Sequence, residues 1–200
     1  MKNRIFFIIA SIICIECSAQ FTGAMEQIFY FEEDKSFAMG PIAHVEYNKS
    51  LYAEARYNYE EKRTVSIYVG RSFARDADFS YSFTPMIGTV LGLYNGWSAG
   101  LNIDADYKNF YLSAQSQYTF SADDEINNFY FSWSELGYQP LIWLYGGIAL
   151  QETYLPQTKE NLTHPGLVVG FAYRKWTVPV YGFKTGEGTQ AFVCSVIYEW

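Results

Sequence analysis

The stretch Trp97-Ser98-Ala99-Gly100-Leu101-Asn102-Ile103-Asp104-Ala105-Asp106 decides the fold. Trp97, Ala99, Leu101, Ile103 and Ala105 alternate with Ser98, Gly100, Asn102, Asp104 and Asp106. A period of two places these sets on opposite faces of a β-strand. The pattern recurs on both sides. Leu51, Ala53, Ala55, Tyr57 and Tyr59 oppose Glu54, Arg56, Asn58 and Glu60, with Tyr52 on the polar side. Phe110, Leu112, Ala114 and Tyr118 oppose Ser113, Gln115, Gln117 and Thr119.

Turn signals divide the chain at short intervals: Asn48-Lys49-Ser50, Glu60 to Arg63, Asn95-Gly96, Tyr107-Lys108-Asn109, Gln139-Pro140 and Gly186 to Gly188. Longer polar stretches cover 121–127 and 156–164. The segments between them predict an all-β chain of about twelve strands, over 24–33, 39–48, 51–60, 63–73, 79–93, 97–106, 109–120, 128–138, 141–155, 165–174, 176–184 and 189–200. Ten and eight strands are the alternatives. No linker interrupts the pattern and no helical period exceeds a turn or two, so residues 20–200 read as one domain.

The composition is uncommon. The chain is 50% hydrophobic and 20% aromatic, with 18 Tyr and 16 Phe, yet its mean hydropathy is −0.09. A bundle of membrane helices would be more apolar, and a soluble enzyme less aromatic. Lys2 and Arg4, the apolar run Ile5 to Ile15, and the small pair Ser18-Ala19 form a signal peptide over 1–19, cleaved before Gln20. The run is too short for the ~20 residues of a spanning helix. Cys14 and Cys17 follow Ile13 and Glu16, where a lipoprotein signal needs a small residue. Loss of Lys2, Arg4 and Glu16 deepens the net charge from −7 to −8, which argues against nucleic acid as a partner. Cys194 is then the lone thiol, so no disulfide framework, metal site or cofactor is read. Beyond the leader no run reaches ~18 apolar residues, so any membrane span must be a closed barrel.

Alternation alone does not say which face meets lipid, since a soluble barrel shows the same period. The last strand runs Phe192-x-Cys194-x-Val196-x-Tyr198-x-Trp200 and ends on an aromatic residue. The apolar face is almost free of charge, with Arg71 and Glu135 the exceptions by parity. A charge there costs ~0–1 kcal/mol near an interface and ~2–4 kcal/mol for Arg or Lys at the midplane. Aromatic residues also crowd the strand ends: Phe79, Tyr81, Trp97, Tyr107, Phe129, Phe131, Trp133, Trp176, Tyr198 and Trp200. Such rings suit the two interfaces of a bilayer.

With the leader ending Ser18-Ala19-Gln20, and with Ala55-Arg56-Tyr57-Asn58-Tyr59, Thr84-Pro85-Met86-Ile87-Gly88 and Phe131-Ser132-Trp133-Ser134-Glu135-Leu136, the chain resembles small outer-membrane β-barrel proteins of Gram-negative bacteria, of the Bacteroidota type. Val196, Tyr198 and Trp200 are similar to the C-terminal targeting signal of such barrels. The resemblance implies an outer-membrane location, with outer-membrane lipids and the barrel assembly machinery as partners. It carries over no catalytic residue.

The inward polar set is the functional lead. His44, Glu46, Glu54, Arg56, Asp104, Asp106, Gln115, Gln117 and Lys184 are the lumen-lining candidates, joined by Ser66 and Arg174. With both termini periplasmic, the outer loops centre on 34–37, 60–63, 94–96, 121–127, 156–164 and 185–188, too short to capture a large ligand. His164, before Pro165, reads as a solvated loop residue. Asp123-Asp124-Glu125 lacks the glycine and ligand spacing of a calcium loop and reads as a solvated cluster. The expected function is a non-enzymatic barrel, either a narrow channel for a small solute or a structural membrane component. Two alternatives stand beside it. One is a lipid-modifying enzyme built on His44, although no obvious serine accompanies that residue. The other is a soluble secreted β-barrel that binds a ligand.

Overall fold

The computed structural model describes residues 20–32, 38–123, 128–184 and 190–200. The leader read over 1–19, the loops around 34–37 and 185–188, and most of the acidic run at 124–127 lie outside the described residues. Every described element is a strand or a turn. The strands are β1 (Phe21–Glu32), β2 (Ala38–Tyr47), β3 (Leu51–Tyr57), β4 (Thr64–Arg71, resumed as Phe73–Arg75), β5 (Phe79–Gly92) and β6 (Gly96–Tyr107). They continue as β7 (Phe110–Ser121), β8 (Phe129–Leu141), β9 (Leu144–Leu155), β10 (Glu160–Tyr173), β11 (Trp176–Lys184) and β12 (Gln190–Glu199).

The two pieces of β4 are one strand. Gly70 pairs with Met86 and Phe73 with Phe83, so the register against β5 is unchanged across Ser72. The count is therefore twelve. Each strand pairs antiparallel with its sequence neighbour, and β1 also pairs with β12, Ala24 facing Glu199. The sheet closes on itself and has no edge. Closure is what a bilayer demands, because an unpaired backbone amide in hydrocarbon costs several kcal/mol. The even count brings both chain ends to the same rim, called here the terminal rim.

The tight turns at that rim use left-handed residues. Asn48 and Lys49 have φ of 53° and 51°, Lys108 has 56° and Arg174 has 56°. Two consecutive positive φ values match the right-handed twist of a β-ribbon.

Along β4 the outward Val65, Ile67 and Val69 are 42%, 51% and 57% exposed, while the inward Thr64, Ser66 and Tyr68 are fully buried. The other strands keep this alternation, and their outer faces carry Ile87, Leu136, Ile148, Leu167 and Phe171. Rings gather at both rims. Phe21–Tyr47, Phe110–Tyr138 and Trp176–Tyr198 lie 4.9, 5.0 and 4.7 Å apart at the terminal rim. Trp97 stacks on Phe120 at 3.9 Å near the far rim. The outer surface is thus an apolar band between aromatic belts, the surface of a membrane-spanning barrel.

Several expectations change. β3 stops at Tyr57, because Asn58 turns left-handed at φ 55° and accepts the Arg63 amide at 2.6 Å. The turn expected at Gln139-Pro140 falls at Ile142-Trp143, and β8 runs through to Leu141. The loop expected over 156–164 is a turn over 156–159, so His164 stands on β10 opposite Gln151 rather than in a loop. On β8 the odd-numbered residues face inward, so Phe131, Trp133 and Glu135 leave the expected outer set. Arg71 does stay outside, 5.2 Å from the Phe73 ring, near the terminal rim.

The interior is more apolar than the polar set implied. Ile28, Ile42, Ala149, Val168, Tyr181, Phe183 and Val193 form one buried cluster, and Tyr52, Tyr68 and Met86 another. Inward rings lie flat on glycines of the neighbouring strand. Tyr145 pairs with Gly170 and Tyr111 with Gly137, where a Cβ would overlap the ring in each case. Glycine here gives the close approach that lets a ring lie along the wall.

The outer band yields a test. Ile87 is 64% exposed in the middle of β5. Ile87→Arg should cost about 2–4 kcal/mol of stability in lipid vesicles, measured by denaturant unfolding. The same change at Phe79, on the rim, should cost about 0–1 kcal/mol.

Candidate lumen site

The centre of the barrel is organised around Arg56, on β3, which is 2% exposed. Its Nε donates to Glu54 at 2.5 Å, and its NH1 group donates to Gln117 Oε1, on β7, at 2.5 Å. Glu60 lies 3.5 Å from the same nitrogen. The guanidinium also sits 4.6 Å from the ring centres of both Tyr59 and Tyr68. A guanidinium held in this way satisfies its charge through two carboxylates, an amide and two π-faces. One nitrogen, NH2, is buried without a partner among the described residues.

Tyr59 and Glu60 belong to the short loop between β3 and β4, at the far rim. The loop does not project outward. Its Tyr59 hydroxyl donates to Gln115 Oε1 across the lumen at 3.1 Å, and Glu60 accepts from Ser66 and from the Tyr68 hydroxyl, the latter at 2.9 Å. This folded-in loop and Arg56 make a plug through the middle of the barrel. Sequence alternation puts Tyr59 on the outer face with Tyr57. The signal that could have corrected it is the turn composition of 58–63, since a strand that stops at Tyr57 no longer fixes the parity of the residues after it.

Between the plug and the terminal rim lies a cavity of about 440 Å³. Glu26, Glu46, Glu54, Asp104, Glu135 and Glu199 line it, drawn from β1, β2, β3, β6, β8 and β12. No Lys or Arg is among its described lining residues. The wall's own donors already point at these carboxylates. Tyr52 donates to Glu54 at 2.5 Å, Ser113 to Asp104 at 2.8 Å, and Tyr181 and Trp133 to Glu135 at 2.7 and 3.2 Å. His44 stacks on Tyr52 with ring centres 5.5 Å apart.

The structure brings His44, Glu46, Glu54, Asp104 and Gln115 to this cavity, with Arg56 and Gln117 in the plug above it. Asp106 is inward at the rim, paired with Ser80 and Tyr111. Lys184 is a correction. It shares the exposed face of Trp176 and Val180 at the far end of β11, because the inward residues there are Tyr181 and Phe183. Arg174 likewise lies outside the lumen, in a turn against the exposed ring of Tyr173. The loss of these two cations makes the lumen more acidic than expected. Sequence reasoning misses Glu26, Glu135 and Glu199. Glu26 stands alone among the uncharged residues 21–31 and Glu199 is the single charge of its strand, and parity puts Glu135 on the wrong face.

A closed twelve-stranded barrel with an apolar belt, aromatic rims and a plugged polar lumen is a porin-type outer-membrane β-barrel in fold. No family model and no curated protein matches the sequence. Among solved structures the chain is similar to the KdgM porin, with a TM-score of 0.64 at 12% identity over 88% of this chain and 99% of the other. It is also similar to the NanC porin, with a TM-score of 0.60 at 8% identity over 89% and 100%. A further structure of similar fit is the KdgM porin in complex with disordered oligogalacturonate.

The plug predicts a stability contrast. Arg56→Met leaves Glu54 and Glu60 buried without their cation and should cost about 3–5 kcal/mol. Tyr59→Phe removes one neutral hydrogen bond and should cost about 1 kcal/mol. Denaturant unfolding of both variants in the same vesicles measures the two values.

Proposed function

We propose that the protein is a narrow, cation-preferring channel of the outer membrane, its terminal rim facing the periplasm and its plug acting as the constriction. The observation that carries this reading is the cavity ringed by six carboxylates with no Lys or Arg among its described lining residues. Carboxylates spread around a low-dielectric wall raise the local concentration of cations and repel anions. Twelve strands fall between the filled interior of eight and the open channel of sixteen to eighteen, which agrees with a small cavity under a plug. The export leader, the outer-membrane lipids and the assembly machinery that reads Trp200 belong to the same reading.

The acidic wall also bears on solute class. One similar structure holds oligogalacturonate, a chain of carboxylates. Glu26, Glu46 and Glu199 would repel such a ligand, so cationic or neutral solutes suit this lumen. A non-enzymatic role is favoured by the placement of the hydroxyls. The cavity serines Ser82 and Ser113 donate to Asp104, at 3.4 and 2.8 Å, while His44 stacks on Tyr52. A serine nucleophile would need that imidazole within hydrogen-bond reach.

Planar-bilayer recording under a KCl gradient tests the proposal. The reversal potential should show cation selectivity. Replacing Tyr59 and Glu60 together with Ala should raise single-channel conductance, since the loop then loses its contacts across the lumen. A folded barrel that stays silent, or one that prefers chloride, overturns the proposal. A silent barrel would favour the structural role.

A further inference from the structure

The carboxylates of the cavity are dispersed rather than convergent. Among the described residues no three acidic or His side chains come close enough to hold a metal ion. Instead the charges stand apart around the ring. Glu26, on β1, and Asp104, on β6, are five strands from each other in a barrel of twelve. Between the charges the wall is mixed, with Ser82, Thr84 and Gln115 on one side and Ile28, Ile42, Trp133 and Tyr181 on the other. A bare ion is served by a tight cage of oxygens. Spaced carboxylates, with aliphatic and aromatic surface on one side of the cavity, fit a molecule with spaced positive charges and an apolar body.

The hydrogen-bond inventory points the same way. Tyr52, Ser113, Trp133 and Tyr181 already donate to Glu54, Asp104 and Glu135, so the wall's polar capacity is dominated by acceptors. Asn102 adds another. Its side-chain nitrogen donates to the Tyr52 hydroxyl at 3.3 Å, which leaves Oδ1 buried with no partner among the described residues. A buried acceptor without a partner is stabilised by any group that donates to it. Apart from Arg56, which Glu54 holds in the plug, no donor that carries positive charge reaches these carboxylates among the described residues. Primary ammonium groups have three N–H donors, and the π-faces of Trp133 and Tyr181 attract the same cations.

We infer that this cavity is a binding site for small aliphatic amines carrying two or more primary ammonium groups, held by carboxylates on opposite walls, with Ile28 and Ile42 beside the end bound at Glu26. The inference rests on the lumen admitting solutes, as the channel proposal requires, and names the solute class.

Calorimetric titration of the detergent-folded protein tests it, with cadaverine as the probe and 1,5-pentanediol as its neutral counterpart of equal length. Cadaverine should bind and pentanediol should not. Glu26→Gln and Asp104→Asn should each weaken cadaverine by about tenfold, the scale of one lost charge-assisted contact. Heat-modifiable migration on a gel verifies that each variant is folded. Trp133 gives a second readout, because the other four tryptophans are 42–53% exposed on the outside and only this one lines the cavity. Its fluorescence should change with cadaverine, and Trp133→Phe should abolish the change. Equal binding of diol and diamine, unchanged affinity in both variants, or no binding overturns the inference. Cation-selective conduction without diamine binding sinks the inference alone, and diamine binding to a barrel that never conducts sinks the channel proposal alone.

Discussion

Everything in this molecule depends on one constraint: in hydrocarbon, each backbone N–H and C=O must find a partner within the protein. The pairing of β1 with β12 meets it by removing the sheet's last edge. Closure then forces the alternation of faces, because a strand with lipid on one side and lumen on the other cannot slip by one residue without exchanging its whole set of side chains. The outward Val65, Ile67 and Val69 and the buried Thr64, Ser66 and Tyr68 show that division of faces on a single strand. The even strand number, which brings Ala24 beside Glu199, comes from the same antiparallel winding.

Closure solves the backbone problem and creates a second one inside. A ring of twelve strands is too wide to be filled by ordinary side chains, and its inner wall must be occupied or wetted. The chain uses three devices. Apolar side chains of β1, β2 and β9–β12 pack into a cluster on one side of the lumen. Tyrosines such as Tyr145 and Tyr111 lie flat on glycines of the next strand, so their rings cover wall instead of crossing space. The loop after β3 folds inward, and Tyr59 bridges to Gln115 across the barrel. Arg56 makes the last device workable. Without a buried cation, Glu54 and Glu60 would repel each other and the loop would have no electrostatic reason to enter.

How far this is legible in the sequence depends on whether a residue sits on an unbroken strand. The ten residues from Trp97 to Asp106 stay in phase from end to end, so the inward positions of Asp104 and Asp106 can be read directly. The twelve strands are legible for the same reason, as is Glu54 beside Arg56. Parity fails where its phase is reset. Tyr59 comes after a left-handed Asn58, and once the strand has stopped, counting in twos carries no information about direction. On β8 the error has another source. The preference of aromatic residues for the rims assigns Phe131 and Trp133 outward, yet inward rings are equally well served by a wall rich in glycine and by a carboxylate that accepts an indole N–H, as Glu135 does. Lys184 is misassigned by chemistry, since a lysine at a strand end reaches water from either face.

The distribution of charge is a consequence of these structural facts. The plug collects the one arginine that is buried among the described residues and the two glutamates that compensate it, and the remaining inward carboxylates are left along the wall between the plug and the terminal rim. Lys184 and Arg174, which an averaged view of the polar set would place among them, are outside the lumen. The resulting field is graded. It is partly offset at the plug, where one arginine faces two glutamates and an uncompensated buried charge would cost most stability, and it is negative along the wider cavity. In the proposed channel such a wall would not need a large net charge on the whole chain to select by charge, because the low-dielectric barrel would confine the field to the lumen that a solute crosses.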